Sequence, residues 1–523
     1  MLPLITTALL QWFAFCSVYA LALSTATNKH LLLKSNNLEG LDVAVVGGGP
    51  SGLLCAHRLL GSGCGKVTLY EGRGDPRCEE NVEDDRAYAL GVGIRGRAAI
   101  KTVDDDLWAA VRSCGFPCDK FLLHPTPSIA LTLRDGNTSA AVSGTEPSIL
   151  LYQSDLCSVL LDELENRYAG SNRLTLNFNC KVETVKMIST KENKGSYSAS
   201  EQYDLVIGCD GVRSKVRDSM LFYTSDIMEI SVRDIPGISK VTTVGMPSSE
   251  KLDPGSVHLI FPKGSGAGAV TAFVEPTIKG ACILFAGRVK DDEKNDQLQL
   301  LSPTTDSRDP GEISDLALAM RESFPLLADQ LTNEVIEGLL RQRGFLSSVV
   351  KSNIYHCGLL AICGDAAHAT GGISGQGCNS ALADASVLVD CLEKELNANM
   401  EDEIKTQAIQ KALLRYSQLQ VPEGTALFEL AIGPDGGVSI GRRVLSTLST
   451  LVNFIFKNGN TLQRTLGTSL IPFSDLRRKR QIFFDQKFLD KEEYNAKLMN
   501  MHNQIMKDIP NSLDKVVVSW QKK

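Results

Sequence analysis

The chain predicts an α/β protein with three parts: a parallel-sheet domain, an antiparallel β domain inserted into it, and a helical C-terminal region. Three observations carry this. Short apolar runs at 41–46, 205–208 and 359–363 each end in a glycine-rich or acidic turn, as buried parallel strands do. Between about 220 and 345 the pattern changes to short β-rich segments separated by turn residues, such as 258–261, 269–274 and 281–285. From about 379 onward the periodicity is helical. The expected division is therefore 41–220 with 345–400 for the parallel-sheet domain, 221–344 for the inserted domain and 401–523 for the helical region.

The bulk properties bound the function. A chain of 523 residues, 43% hydrophobic and 22% charged, is long enough for two or three well-buried domains. The net charge of −7 disfavours a nucleic-acid partner, which needs a basic face. The 14 cysteines are scattered, with no Cys-x-x-Cys pair, and read as buried reduced thiols. No metal site is expected.

The N-terminus differs in kind. Residues 1–27 carry no charged side chain, and 2–23 is almost unbroken apolar sequence. Small residues follow, with Ala20-Leu21-Ala22 placed as a cleavage site would be. The length also suits a membrane-spanning helix, so the segment reads as a cleaved signal for the secretory pathway or an organelle, or as an uncleaved membrane anchor, with a buried helix as the third choice. Residues 28–40 read as a linker.

The first chemical motif opens the folded part. A strand at 41–46 runs into Gly47-Gly48-Gly49-Pro50-Ser51-Gly52, a helix follows from 51 to 60, and a second strand at 67–70 ends at Glu71. This is the βαβ context that makes Gly-x-Gly-x-x-Gly a Rossmann-like dinucleotide fingerprint. Gly47 permits the tight turn, Gly49 lets a pyrophosphate approach the backbone, and Gly52 lets the helix pack against the sheet. Glu71 is placed to accept a hydrogen bond from a ribose hydroxyl.

Two further strands end in acidic turns. One leads to Cys209-Asp210-Gly211, which by itself is a common turn. The other leads to Gly364-Asp365-Ala366-Ala367-His368, then Gly371, Gly372, Gly375 and Gly377, and a helix from about Asn379. An aspartate at a strand's carboxyl end can bind a sugar or ribitol hydroxyl, and a glycine-rich loop opening a helix can present N–H groups to a phosphate or a polar ring edge. His368 reads as a packing residue beside that loop. The run Arg477-Arg478-Lys479-Arg480 reads as a solvated face.

The order of these three motifs resembles that of the FAD-dependent aromatic-ring monooxygenases typified by p-hydroxybenzoate hydroxylase. The resemblance covers roughly 41–400 and is closest to the kynurenine 3-monooxygenases. Arg86-Ala87-Tyr88-Ala89-Leu90 with Arg95-Gly96-Arg97, Gly208-Cys209-Asp210-Gly211, and Gly364-Asp365-Ala366-Ala367-His368-Ala369 with Gly375-Gln376-Gly377-Cys378-Asn379 carry it.

By that resemblance Gly47, Gly49, Gly52 and Glu71 hold the ADP half of FAD. Asp210 and Gly211 sit where FAD and NAD(P)H are both served. Gly364 and Asp365 meet the ribitol, and Gly375, Gln376 and Gly377 lie against the flavin ring. Arg86 pairs with a substrate carboxylate, for which a bidentate guanidinium is suited, or makes an interdomain salt bridge. Gln153 falls where relatives often carry an arginine that contacts FAD, and Thr370-Gly371-Gly372-Ile373-Ser374 replaces a bulkier segment.

The implied activity is hydroxylation of an aromatic small molecule with NAD(P)H and O2. The competing readings are an FAD-dependent reductase, epoxidase or halogenase acting on a lipid or terpenoid, and a non-enzymatic FAD-binding redox protein.

Overall fold

The computed structural model describes residues 37–522 apart from 79–87, 136–145, 190–199, 264–269, 288–299, 302–308, 434–464 and a few positions taken singly or in pairs. The N-terminal segment 1–27, Arg86, the Asn137-Thr138-Ser139 sequon and an apolar stretch at 444–456 lie outside the described residues. Among the described residues no helix is long and apolar enough to cross a membrane.

The central sheet has six strands in the order His356–Cys357, Leu360–Ile362, Leu205–Gly208, Asp42–Val46, Lys66–Tyr70 and Leu174–Asn177. All neighbouring pairs are parallel except the first. Val43 to Val46 and Leu205 to Gly208 are buried on both faces, which explains why these strands read as unbroken apolar runs. The helix Pro50–Gly61 packs on this sheet and the helix Gly377–Glu395 packs on that helix, and the carboxyl ends of the strands lead into the turns at Gly47, Asp210 and Asp365.

The second six-stranded sheet runs Ile238–Val244, Gly280–Gly287, Thr271–Thr277, Ser256–Ile260, Lys120–Thr126 and Ile129–Arg134. The inserted antiparallel sheet is therefore present. It also recruits the hairpin at 120–134, from a segment expected to serve the parallel-sheet domain, and the pair joining Ser256–Ile260 to Lys120–Thr126 is parallel. One face of this sheet buries Ala272, Val274, Ile283 and Phe285 under the helices Pro310–Ser323 and Asn333–Arg341. The other face turns toward the small sheet of Ala89–Val92, Ser148–Tyr152 and Phe116–Cys118.

The C-terminal region is helical over Asp402–Ile432 and Lys491–Asp508 but ends in a strand, Lys515–Lys522, inserted between Ser200–Tyr203 and Cys180–Ile188. Val516 to Val518 are all buried there, so a strand covered on both faces takes the place of the expected helix. The basic run is not wholly solvated either. Arg477 has no exposed side-chain surface, pairs with Glu429 at 2.6 Å and lies 3.6 Å from the centre of the Phe484 ring. It clamps the helix Phe473–Lys479 to the long helix.

Candidate functional site

The glycine turn is built as its sequence demands. Gly47 has φ +108°, and a Cβ there would come within 2.3 Å of the Cys209 carbonyl oxygen. A Cβ on Gly52 would stand 2.0 Å from the Gly47 carbonyl oxygen, so the helix can approach the strand only without a side chain. At Gly49 nothing lies within 4 Å of where a Cβ would be. The helix Pro50–Gly61 has no side-chain cap and no acidic residue in its first turn, so its N-terminal N–H groups and dipole face open space. Glu71 is half-buried; its carboxylate accepts from the Gly48 N–H at 2.7 Å and the Arg73 N–H at 2.8 Å.

The two acidic turns have different jobs. Asp210 accepts from the Ser214 hydroxyl at 2.5 Å and the Lys215 N–H at 2.6 Å, so it anchors the start of the helix Lys215–Thr224. Burial pushes its carboxyl up, and those hydrogen bonds oppose the shift. Gly211, at φ +72°, turns the backbone into open space.

Asp365, on the single turn Gly364–Ala366, has no hydrogen bond or ion pair among the described residues and is exposed. Its carboxyl is nevertheless pushed up, chiefly by burial, with His368 opposing and Asp384 adding to the shift. The Asp365 carboxylate is therefore open to solvent on one side and crowded by protein on the other. Tyr88 and Cys378 share this character, since both are partly accessible and both are pushed upward mainly by burial, with Asp365 among the charges acting on each.

Behind Asp365 stands a pair that sequence reasoning missed. Asp384, on the helix Gly377–Glu395, accepts from the Gly364 N–H at 3.0 Å and meets His368 Nε2 at 2.7 Å. Burial disfavours a charged His368, but the Asp384 carboxylate outweighs it and holds the imidazole above its ordinary value. His368 is thus a packing and positioning residue, stacked against Tyr355 at 5.8 Å. The spacing of 16 residues between His368 and Asp384 gives no periodic signal by which a reader could have paired them.

Arg217 adds a second link, donating to the carbonyls of Ala366 at 2.9 Å and Val212 at 2.7 Å and so tying the two acidic turns together. Asn379 braces the loop from the other side. Its amide oxygen accepts from the Gly93 and Gly96 N–H groups, and its amide nitrogen donates to the Gly91 carbonyl.

Among the remaining expected residues, Gly375 has φ +61°, and nothing lies within 4 Å of where a Cβ would be on Gly375 or Gly377. Gln376 is buried at the start of the helix, its N–H bonded to the Ser374 hydroxyl. Gln153 is half-buried and opens the helix Gln153–Tyr168, its N–H donating to the Tyr88 carbonyl at 3.2 Å. The open turn at Gly49, the unpartnered Asp365 and the open loop at Gly375 and Gly377 form a cradle that suits a dinucleotide with a flat polar ring. The 13 described cysteines are all free thiols.

Comparison with known proteins agrees with this geometry. A family profile described as an NAD(P)-binding Rossmann-like domain matches residues 45–109. Kynurenine 3-monooxygenase of Anopheles gambiae is 27% identical over 382 residues, 70% of this chain and 71% of that protein. The Drosophila melanogaster enzyme of the same name is 27% identical, over 68% of this chain and 70% of its own. Among solved structures, 2-methyl-3-hydroxypyridine-5-carboxylic acid oxygenase shares the fold with a TM-score of 0.56 and 17% identity, over 81% of this chain and 95% of that one. Pseudomonas aeruginosa PqsL in complex with 2-aminobenzoylacetate gives 0.54 and 20%, over 75% and 94%.

Proposed function

We propose that this chain, an NAD(P)H- and FAD-dependent monooxygenase of the aromatic hydroxylase type, hydroxylates a kynurenine-like aromatic small molecule. The observation that carries the reading is the convergence of the Gly49 turn, Asp365 and the loop at Gly375 and Gly377 on one open cradle at the carboxyl ends of a parallel sheet. When bound, the flavin supplies the redox chemistry, activating O2 with electrons from the nicotinamide so that one oxygen atom reaches the substrate ring.

The residues of the chain do the rest. The N–H groups at the start of the helix Pro50–Gly61 receive the pyrophosphate, and Glu71 exchanges its backbone partner for a ribose hydroxyl. Asp365 accepts from the ribitol chain, while Asp384, His368 and Arg217 hold its turn rigid. Gln376 and the N–H groups at Gly375 and Gly377 meet the polar edge of the ring. Asp210 and Gly211 shape the turn where the nicotinamide nucleotide and FAD come together, and Gln153, whose N–H bonds the Tyr88 carbonyl, contacts FAD. Arg86 pairs with a substrate carboxylate. The antiparallel sheet and the strand Ala89–Val92 enclose the substrate and keep water from the reacting atoms.

The test is a purified full-length chain assayed for bound flavin, for NADH and NADPH oxidation and for oxygen uptake, across aromatic acids including kynurenine. The expected result is a yellow protein whose nicotinamide oxidation is stimulated by one class of aromatic and yields a product one oxygen atom heavier. A colourless chain that cannot be reconstituted with FAD overturns the reading. A yellow chain that no aromatic stimulates moves it to a lipid or terpenoid substrate. Fractionation of cells settles the proposed role of residues 1–27 as signal or membrane anchor.

A further inference from the structure

Glu275 is a carboxyl without a hydrogen-bond or ion-pair partner among the described residues. It lies on the strand Thr271–Thr277, whose alternate residues Ala272 and Val274 are buried under the helices of the inserted domain. Glu275 therefore points to the opposite face with Phe273, toward the small sheet of the parallel-sheet domain. On that face Cys282 stands directly across from it. Two apolar clusters flank the position: one of Cys282, Val241, Ala89 and Tyr152, the other of Phe273, Val257 and Leu150.

No hydrogen bond or ion pair reaches the Glu275 carboxylate among the described residues. The polar groups around it are already engaged. Tyr152 and Thr243 share a hydrogen bond at 2.5 Å, and Lys279 is tied to Asp155 at 2.7 Å while lying over the Tyr152 ring. Glu275 is half-buried by its accessible surface, yet burial alone pushes its carboxyl up to about 8. The carboxyl thus sits at the face between the inserted sheet and the small sheet, partly open and surrounded by apolar side chains. The strand from Ala89, which packs against Cys282, begins one residue after Tyr88.

We propose that Glu275 is a specificity-determining residue of the substrate cavity, and that it selects an aromatic substrate carrying a basic amine. The inference rests on the aromatic hydroxylase reading above. A carboxyl kept among apolar side chains costs stability unless something pairs with it, and the described residues supply no partner. An amine supplies both the countercharge and the N–H donors. A ligand with an acidic group at that position supplies no countercharge and gains no such pairing.

Binding also has a proton balance. In the empty cavity at neutral pH Glu275 is mostly protonated. An ammonium group arriving beside it favours the carboxylate, and the displaced proton leaves for solvent, so binding releases close to one proton.

The experiment uses the full-length FAD-loaded protein and matched aromatic pairs differing only in the amine, beginning with kynurenine and its analogue lacking the aliphatic amino group. Binding is followed by the change in flavin absorbance and by calorimetry in two buffers of different ionisation enthalpy. The expected result is that Glu275→Gln weakens the amine ligand about tenfold or more, the usual weight of a charged hydrogen bond, and changes the amine-free partner less than about twofold. Proton release near pH 7 disappears with the substitution. Glu275→Met, which suits the apolar wall, keeps the flavin and shows the same selective loss.

Amine binding unchanged in both variants, or wild-type protein that holds the amine-free partner equally well, overturns the inference and leaves the hydroxylase reading intact. A yellow protein that binds no aromatic ligand overturns both.

Discussion

The cofactor cradle and the substrate wall treat their acidic side chains in opposite ways. In the cradle most carboxylates are tied. Asp210 caps a helix, Asp384 holds Gly364 and His368, Glu71 accepts from two backbone N–H groups, and Asp365 is left open on the turn they brace. In the wall Glu275 stands among apolar side chains with no such scaffold. The difference teaches how each site is made. A nucleotide is received mainly by backbone geometry, which needs rigid support from many short-range bonds. A variable small molecule is received by a single side chain, which needs only a cavity and a contrast with its surroundings.

The largest expected effect on flavin retention breaks the cradle at its tightest point. Gly52→Ala places a methyl 2.0 Å from the Gly47 carbonyl oxygen, so strand and helix must separate. Overpacking of this kind costs about 1–3 kcal/mol or more, and flavin retention should be lost, as read by the absorbance of the purified protein. A variant that stays yellow and stable would show that the turn relaxes more easily than its packing implies.

Next is Asp384→Ala, which strands a buried His368 and the Gly364 N–H; breaking such a buried pair costs roughly 3–5 kcal/mol, measured by chemical denaturation. The pair also carries a pH signature. Because the native His368 is held above its ordinary value of 6.5, its contribution is full below that pH and falls as pH rises through the raised value. The alanine variant should lack that fall.

Asp365→Ala should weaken FAD binding by about ten- to a hundredfold, the weight of one charged hydrogen bond, while the melting temperature of the flavin-free protein barely moves. It thereby separates the open carboxylate from the tied ones. Flavin titration and a thermal scan on the same preparation check both halves.

The effect with the least consequence for the flavin lies in the wall. Glu275 titrates at about 8 in the folded protein, against an ordinary 4.5. The folded state therefore binds more protons between those values, and stability falls as pH rises from about 4.5 to 8. Glu275→Gln should flatten that slope in melting curves across the same range, and an unchanged slope would place the carboxyl in contact with bulk water.

Much of the cradle is legible in the chain because its signals are local. The strand, the glycine turn, the helix and Glu71 fall within 30 consecutive residues, and each obeys a rule of spacing or of φ that a reader can apply. The turns at Asp210 and Asp365 are legible for the same reason, each following an apolar strand. Their distinct jobs are not. Ser214 and Lys215 reveal Asp210 as a helix anchor only once the helix is seen to start there.

The sequence by itself determined the parallel βαβ core, the three turns at the carboxyl ends of its strands, and the presence of an inserted antiparallel sheet. These follow from periodicity and turn chemistry within short windows of chain. Only the tertiary structure decided that the hairpin at 120–134 joins that inserted sheet, that Lys515–Lys522 closes as a strand between two distant partners, and that Arg477 is buried against Glu429. Only the structure pairs His368 with Asp384 or leaves Glu275 unpaired among the described residues. The physical reason is common to all of them: a partner across a sheet or between domains is set by packing among segments far apart in the chain, and no local pattern records it.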